Sequence, residues 1–90
     1  MDKNDINYVF YLVSYNLKRL RNEKGLTQVQ FANESNFSES FIANIESKSF
    51  QTIGLASVYK FAQVLNVDIR ELFRPIPTEA EAEAKHKKNK

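Results

Sequence analysis

The chain has 90 residues, with 13 Lys and Arg against 11 Asp and Glu, no Cys, no Trp, two Gly and two Pro, a length that suits one small domain. No Cys means no disulfide framework, thiol nucleophile or Cys-ligated zinc; His86 is the single His, which leaves no material for a Ser/His/Asp triad or a His-based metal site. An enzyme is not expected, nor is any cofactor or metal, and the net charge of +2 resides wholly in residues 74–90, because 1–73 hold eight basic and eight acidic side chains.

Ile6, Phe10, Val13, Leu17 and Leu20 recur at steps of four and three, one face of a helix. They predict helix 1 over about 8–24, stopped by Gly25 as the residue best able to turn left-handed. The longest apolar stretch, 8–13, is far short of the roughly 20 residues that cross a bilayer. Asp2 and Asp5 stand where a signal peptide carries basic residues. A cytoplasmic protein with no membrane partner is expected. Lys18, Arg19, Arg21 and Lys24 crowd the last two turns, where the helix dipole favours cations. Tyr8, Tyr11, Leu12 and Tyr15 lie partly off the main stripe, more apolar surface than one core uses.

Thr27 supplies an N-cap oxygen to a second segment containing Val29, Phe31 and Ala32, which Asn33, Glu34, Ser35 and Asn36 end after about two turns. Ser38 caps a third, over 38–47, with Glu39 in its first turn and Phe41, Ile42 and Ile45 as its apolar edge. Two short helices across the turn 35–37 make a helix-turn-helix. Ala32 is small enough for the two to cross closely, Phe31, Phe37, Ile42 and Ile45 fill the angle behind it, and Asn36 stands where the turn needs positive φ. Leu55, Val58, Tyr59, Phe61, Ala62 and Leu65 form a fourth amphipathic segment ending at Asn66. Asp68 caps a short fifth with Ile69, Leu72 and Phe73, and Pro75 and Pro77 then break regular structure. The expected fold is all-α with five helices. It places one domain at 1–77, including an N-terminal extension of helix 1, and a charged, disordered tail at 78–90, a Glu-Ala repeat followed by lysines.

Leu17-Lys-Arg-Leu-Arg21, Lys24-Gly-Leu-Thr-Gln28, Phe31-Ala32, Phe41-Ile42, Ile45-Glu46 and Leu65-Asn-Val-Asp68 together resemble the phage repressor/Cro-like (Xre-type) helix-turn-helix family over 17–73. The resemblance implies a five-helix repressor-like DNA-binding domain with the helix-turn-helix at helices 2 and 3. It implies a sequence-specific transcriptional regulator, of the repressor or restriction-modification controller type, that binds a palindromic double-stranded operator as a homodimer with helix 38–47 in the major groove. Glu39, Ser40, Ala43 and Asn44 then occupy the base-reading positions. Asn pairs with adenine N6/N7, Glu accepts from cytosine N4, and Ser can do either.

Phosphate contacts are implied for Thr27, Gln28, Ser38, Ser47, Lys48, Ser49, Gln51 and Thr52, with Lys48 replacing a glycine usual in the family. Arg21 and Glu46 match a structural salt bridge, and Leu72, Phe73 and Ile76 the dimer interface. Simpler roles stand beside these: Glu39 as a charge facing the helix dipole, and Leu72, Phe73 and Ile76 as closure of the core under helix 1; Phe50 is read as a core plug under the loop, with contact to a thymine methyl or to the partner subunit as the alternatives. No small-molecule ligand is expected. The alternative function is a protein-interaction module or antitoxin that keeps the fold with weak or no DNA binding of its own, which the neutral body and Glu39 would suit.

Overall fold

Helix α1 (Tyr8–Glu23) turns Val13, Leu17 and Leu20 into the core, as the spacing predicts. Ile6 precedes the helix and is exposed, so the buried stripe begins a turn later than the pattern suggests. The computed structural model describes residues 2–47 and 52–77, so Lys48, Ser49, Phe50, Gln51 and the tail 78–90 lie outside the described residues. The end of α1 is closed by Gly25 at φ +71°, a region open to glycine at no steric cost. Gly25 N–H donates to Asn22 O and Leu26 N–H to Arg21 O, the paired bonds of a Schellman closure.

Helix α2 (Gln28–Ser35) starts with a reciprocal cap. Thr27 Oγ1 accepts from Gln30 N–H at 3.0 Å, and Gln30 Oε1 accepts from Thr27 N–H at 2.8 Å, which satisfies two otherwise orphaned donors. Ser35 is fully buried instead of marking the polar end of the helix. Its hydroxyl donates to Phe31 O at 2.7 Å, so burial strands no polar atom. Asn36 takes φ +61° and Phe37 N–H returns to Ala32 O. Helix α3 (Glu39–Glu46) is shorter by one residue at each end than the predicted 38–47: Ser38 caps it by accepting from Phe41 N–H, and Ser47 flanks it in extended backbone.

In helix α4 (Leu55–Leu65) the buried residues are Val58, Phe61, Ala62 and Leu65, while Leu55 and Tyr59 stand at the surface. Asn66 ends it at φ +56°. The expected fifth helix is instead a 3-10 helix of five residues, Ile69–Phe73. Arg74, which precedes Pro75, is held extended at ψ 141°, because the proline ring disfavours helical backbone before it. Asp68 starts this turn by accepting from Arg70 N–H, and Arg70 holds the Asp68 carboxyl below the usual carboxylate range through the side-chain bond. The described residues thus contain four α-helices, one 3-10 helix and no strand.

The aromatic centre of the core joins α2, α3 and α4. Phe31 lies 5.8 Å from Phe61 between ring centroids, and Phe37 meets Phe61 edge-on at 5.5 Å, the geometries favoured by ring quadrupoles. A second joint is polar. Asn16, 1% exposed on the apolar side of α1, has Nδ2 at 3.0, 3.2 and 2.9 Å from Leu12 O, Leu72 O and Arg74 O, its two N–H hydrogens shared among the three carbonyls. Arg19 closes the network by donating to Asn16 Oδ1 and Glu71 O. The 3-10 helix is thereby fastened to α1.

Candidate nucleic-acid interface

Phe41, Ile42 and Ile45 hold α3 against the body, with Ile42 and Ile45 fully buried. A helix so anchored must present the opposite face outward. Glu39, Ser40 and Asn44 are exposed and Ala43 is half-buried between them. The four positions expected to read bases therefore share one edge of α3, with one carboxylate, one amide, one hydroxyl and no cation.

The start of α2 meets the end of α3, where Gln28 reaches Glu46. Thr27 and Ser38 are exposed, and each has its hydroxyl oxygen engaged as a cap, which leaves the hydroxyl hydrogen available for donation. Ser47 differs, because its Oγ–H donates to Asn44 O at 2.7 Å and its N–H to Ala43 O, both within α3. Thr52 is exposed at the far side of the segment 48–51. Lys48, Ser49 and Gln51, also singled out for phosphate contact, are outside the described residues.

Behind this surface a buried ion pair sets the angle between elements. Arg21 donates from Nε and Nη2 to the two oxygens of Glu46 at 2.6 and 2.8 Å, and from Nη1 to Leu26 O at 2.5 Å. Its hydrogen bonds to Glu46 raise the guanidinium pKa, although burial alone would lower it. Gln28 joins the pair by donating from Nε2 to Glu46 Oε1 at 3.2 Å.

Arginines elsewhere are also occupied. Arg19 pairs with Glu23 and Glu71, Arg70 with Asp68, and Arg74 with Glu71. Lys60 sits over the Phe37 ring at 5.3 Å, a cation–π arrangement. Among the described residues, no cluster of His, Asp and Glu suits a metal ion, and no helix is long and apolar enough to cross a membrane.

The residues named for a dimer interface do not share one environment. Leu72 is fully buried in the core of its own chain, so it is a core residue and not a surface contact. Phe73 and Ile76 are half-buried. Phe73 also lines a shallow apolar groove with Val9, Phe10, Val13, Ile53, Leu55 and Val58.

Three polar residues that position these elements, Ser14, Asn16 and Gln30, were not among the sequence candidates. Ser14 Oγ donates to Ile45 O at 2.6 Å, tying α1 to the end of α3. Gln30 carried a readable signal, the Thr-x-x-Gln capping pattern; Asn16 carried only its place beside Leu17 in an apolar stripe.

A family model for the helix-turn-helix matches residues 17–72. The uncharacterized HTH-type transcriptional regulator y4dJ of Sinorhizobium fredii is 38% identical over 64 residues, which cover 71% of this chain and 82% of the relative. The restriction-modification controller protein C.AhdI from Aeromonas hydrophila has a similar structure, with a TM-score of 0.65 at 30% identity over 71% of this chain and 96% of its own. The hypothetical transcription factor NHTF from Neisseria matches with a TM-score of 0.67 at 22% identity, over 86% of this chain and 83% of its own, a likeness of fold alone.

Proposed function

The chain belongs to the Xre/Cro-like helix-turn-helix family of DNA-binding transcriptional regulators, and from that premise we propose that it acts as a homodimer on a palindromic operator, with α3 in the major groove. The observation that carries this reading is the polar edge of α3: Glu39, Ser40 and Asn44 exposed in a row, on a helix whose opposite face is buried. Asn44 suits adenine, Glu39 suits the cytosine amino group, Ser40 serves either, and Ala43 leaves room for a thymine methyl.

Phosphates are held by Thr27, Gln28, Ser38 and Thr52, with Lys48, Ser49 and Gln51 from the segment after α3. Ser47 joins them by exchanging Asn44 O for a phosphate oxygen. Neutral donors at helix starts fix register without requiring a strongly basic surface. The DNA-binding unit spans 1–77, and Phe73 and Ile76 contribute to the contact between copies. A dimer is supported by energetics, since one head with few cations binds too weakly to select a unique site. The likeness to C.AhdI favours a repressor or controller role, with the chain's own concentration as the input through the dimer equilibrium.

Selection from a randomised duplex pool, followed by gel-shift titration and light scattering of the complex, tests the proposal. The expected result is a palindrome whose half-sites lie about 34 Å apart, bound by two copies. Enrichment of no sequence would sink the DNA reading, and a monomeric complex on a single half-site would sink the dimer.

A further inference from the structure

Three elements converge on one carboxylate. Glu46 is the last residue of α3, Arg21 comes from α1, and Gln28 is the first residue of α2. Glu46 Oε2 accepts from Arg21 Nε; Oε1 accepts from both Arg21 Nη2 and Gln28 Nε2. The Glu46 side chain is only 2% exposed, so little water competes for these bonds.

The Gln28 amide has two N–H hydrogens, and Glu46 takes one. The other remains for a ligand, next to the backbone N–H groups of Gln28 and Val29, which no acceptor among the described residues takes. A carboxylate this close to a phosphate would ordinarily repel it. Here the Arg21 guanidinium neutralises Glu46 in two-point contact, so the carboxylate can orient the amide without presenting net charge.

We propose that Glu46 is a positioning residue for DNA binding, which holds the Gln28 amide ready for a backbone phosphate and so registers that phosphate against the reading edge of α3. The role rests on the DNA-binding reading above. Its physical advantage is preorganisation, because a glutamine already pinned in the free protein loses little freedom on binding. It also places the phosphate clamp of α2 and the side chains of α3 on one rigid reference. A shift of α3 would carry the clamp with it.

The test compares Glu46→Leu, Gln28→Ala and the double variant on the selected duplex, with unfolding measured for each. Each single change is expected to weaken binding about tenfold or more, and the double variant to be within about twofold of the weaker single one, because both remove the same contact. Ethylation interference should lose the same phosphate in both single variants. Multiplying effects, or a phosphate that still interferes in Glu46→Leu, would overturn the role. If Glu46→Leu does not fold, side-chain ¹⁵N relaxation of Gln28 in the free wild-type protein decides: backbone-like rigidity is expected, and an amide as mobile as an exposed glutamine overturns the proposal. A wild-type chain that binds no duplex removes the DNA reading and this role together, while a bound duplex with additive variants removes this role alone.

Discussion

Arg21 Nε lies 2.6 Å from Glu46 Oε2 while Arg21 Nη2 lies 2.8 Å from Oε1, a fork-to-fork pairing that joins α1 to the last residue of α3 across 25 positions of sequence. Planar two-point contact fixes orientation as well as distance. The third donor, Nη1, holds Leu26 O, so the same guanidinium also anchors the loop before α2. One side chain thereby sets the relative placement of three helices.

Removing either partner leaves the other charge buried. Arg21→Ala is expected to cost about 3–5 kcal/mol, read as a lowered urea midpoint at unchanged slope. Arg21→Lys keeps the charge but not the fork, and should fall between wild type and Arg21→Ala. Replacing both, as Arg21→Met with Glu46→Leu, should restore much of the stability while leaving DNA binding impaired, because Gln28 then has no acceptor.

Asn16 is a second buried polar joint, and its loss should act locally. Asn16→Leu strands Leu72 O and Arg74 O and is expected to cost about 2 kcal/mol. Amide exchange should accelerate first in Ile69–Phe73, since those residues depend on the joint for their attachment to α1. Uniform acceleration across all helices would show that the joint supports the whole core instead.

The contrast between Asn36 and Asn16 explains which features were readable from the sequence. Asn36, Asn66 and Gly25 could be placed at left-handed positions because the constraint is local: few residues tolerate that backbone, whatever surrounds them. The capping oxygens of Thr27, Ser38 and Asp68 are equally local. Asn16 bonds to carbonyls 56 and 58 residues away, and only the tertiary fold brings them together. The Gln28–Glu46 contact spans 18 residues and was hidden for the same reason. Apolar spacing over five residues is alike for an α-turn and a 3-10 turn, so Ile69, Leu72 and Phe73 did not distinguish them. Nor could an apolar residue near the end of the domain reveal whether it faces the core, as Leu72 does, or the surface.

The left-handed turn at Asn36 gives a further prediction. Asn36→Gly should be neutral or slightly stabilising, because glycine has no side chain to strain at φ +61°. Asn36→Val should destabilise by about 1–2 kcal/mol and shift melting by roughly 4–8 °C per kcal/mol. The two proteins should differ in thermal midpoint while sharing a base preference, since this turn lies outside the edge of α3 proposed to read bases.

Salt dependence should be shallow. Among the described residues Arg19, Arg21, Arg70 and Arg74 are each engaged with a carboxylate and Lys60 sits over Phe37, so counterion displacement there falls to Lys3, Lys18 and Lys24. A log–log slope of affinity against salt smaller in magnitude than about 5 is expected for the dimer, measured between about 50 and 200 mM. Deleting 78–90 removes Lys85, Lys87, Lys88 and Lys90 with Glu79, Glu81 and Glu83. It should flatten the slope slightly and leave the selected sequence unchanged, because that charge carries no base information.

Glu39 and Asn44 should separate affinity from specificity. Glu39 is exposed in the first turn of α3, where its charge complements the helix dipole by roughly 0.3–1 kcal/mol but opposes any phosphate nearby. Glu39→Gln should therefore lower stability slightly and raise affinity for random duplex. If Glu39 also accepts from a cytosine amino group, the same change relaxes preference at one position of each half-site. Asn44→Ala should instead reduce affinity for the selected duplex by about 1–3 kcal/mol with little change on random duplex, because a lost base contact removes discrimination and leaves phosphate binding intact. Competitive selection with both variants distinguishes the two effects. Unchanged base preference in Asn44→Ala would move the reading role away from this edge of α3.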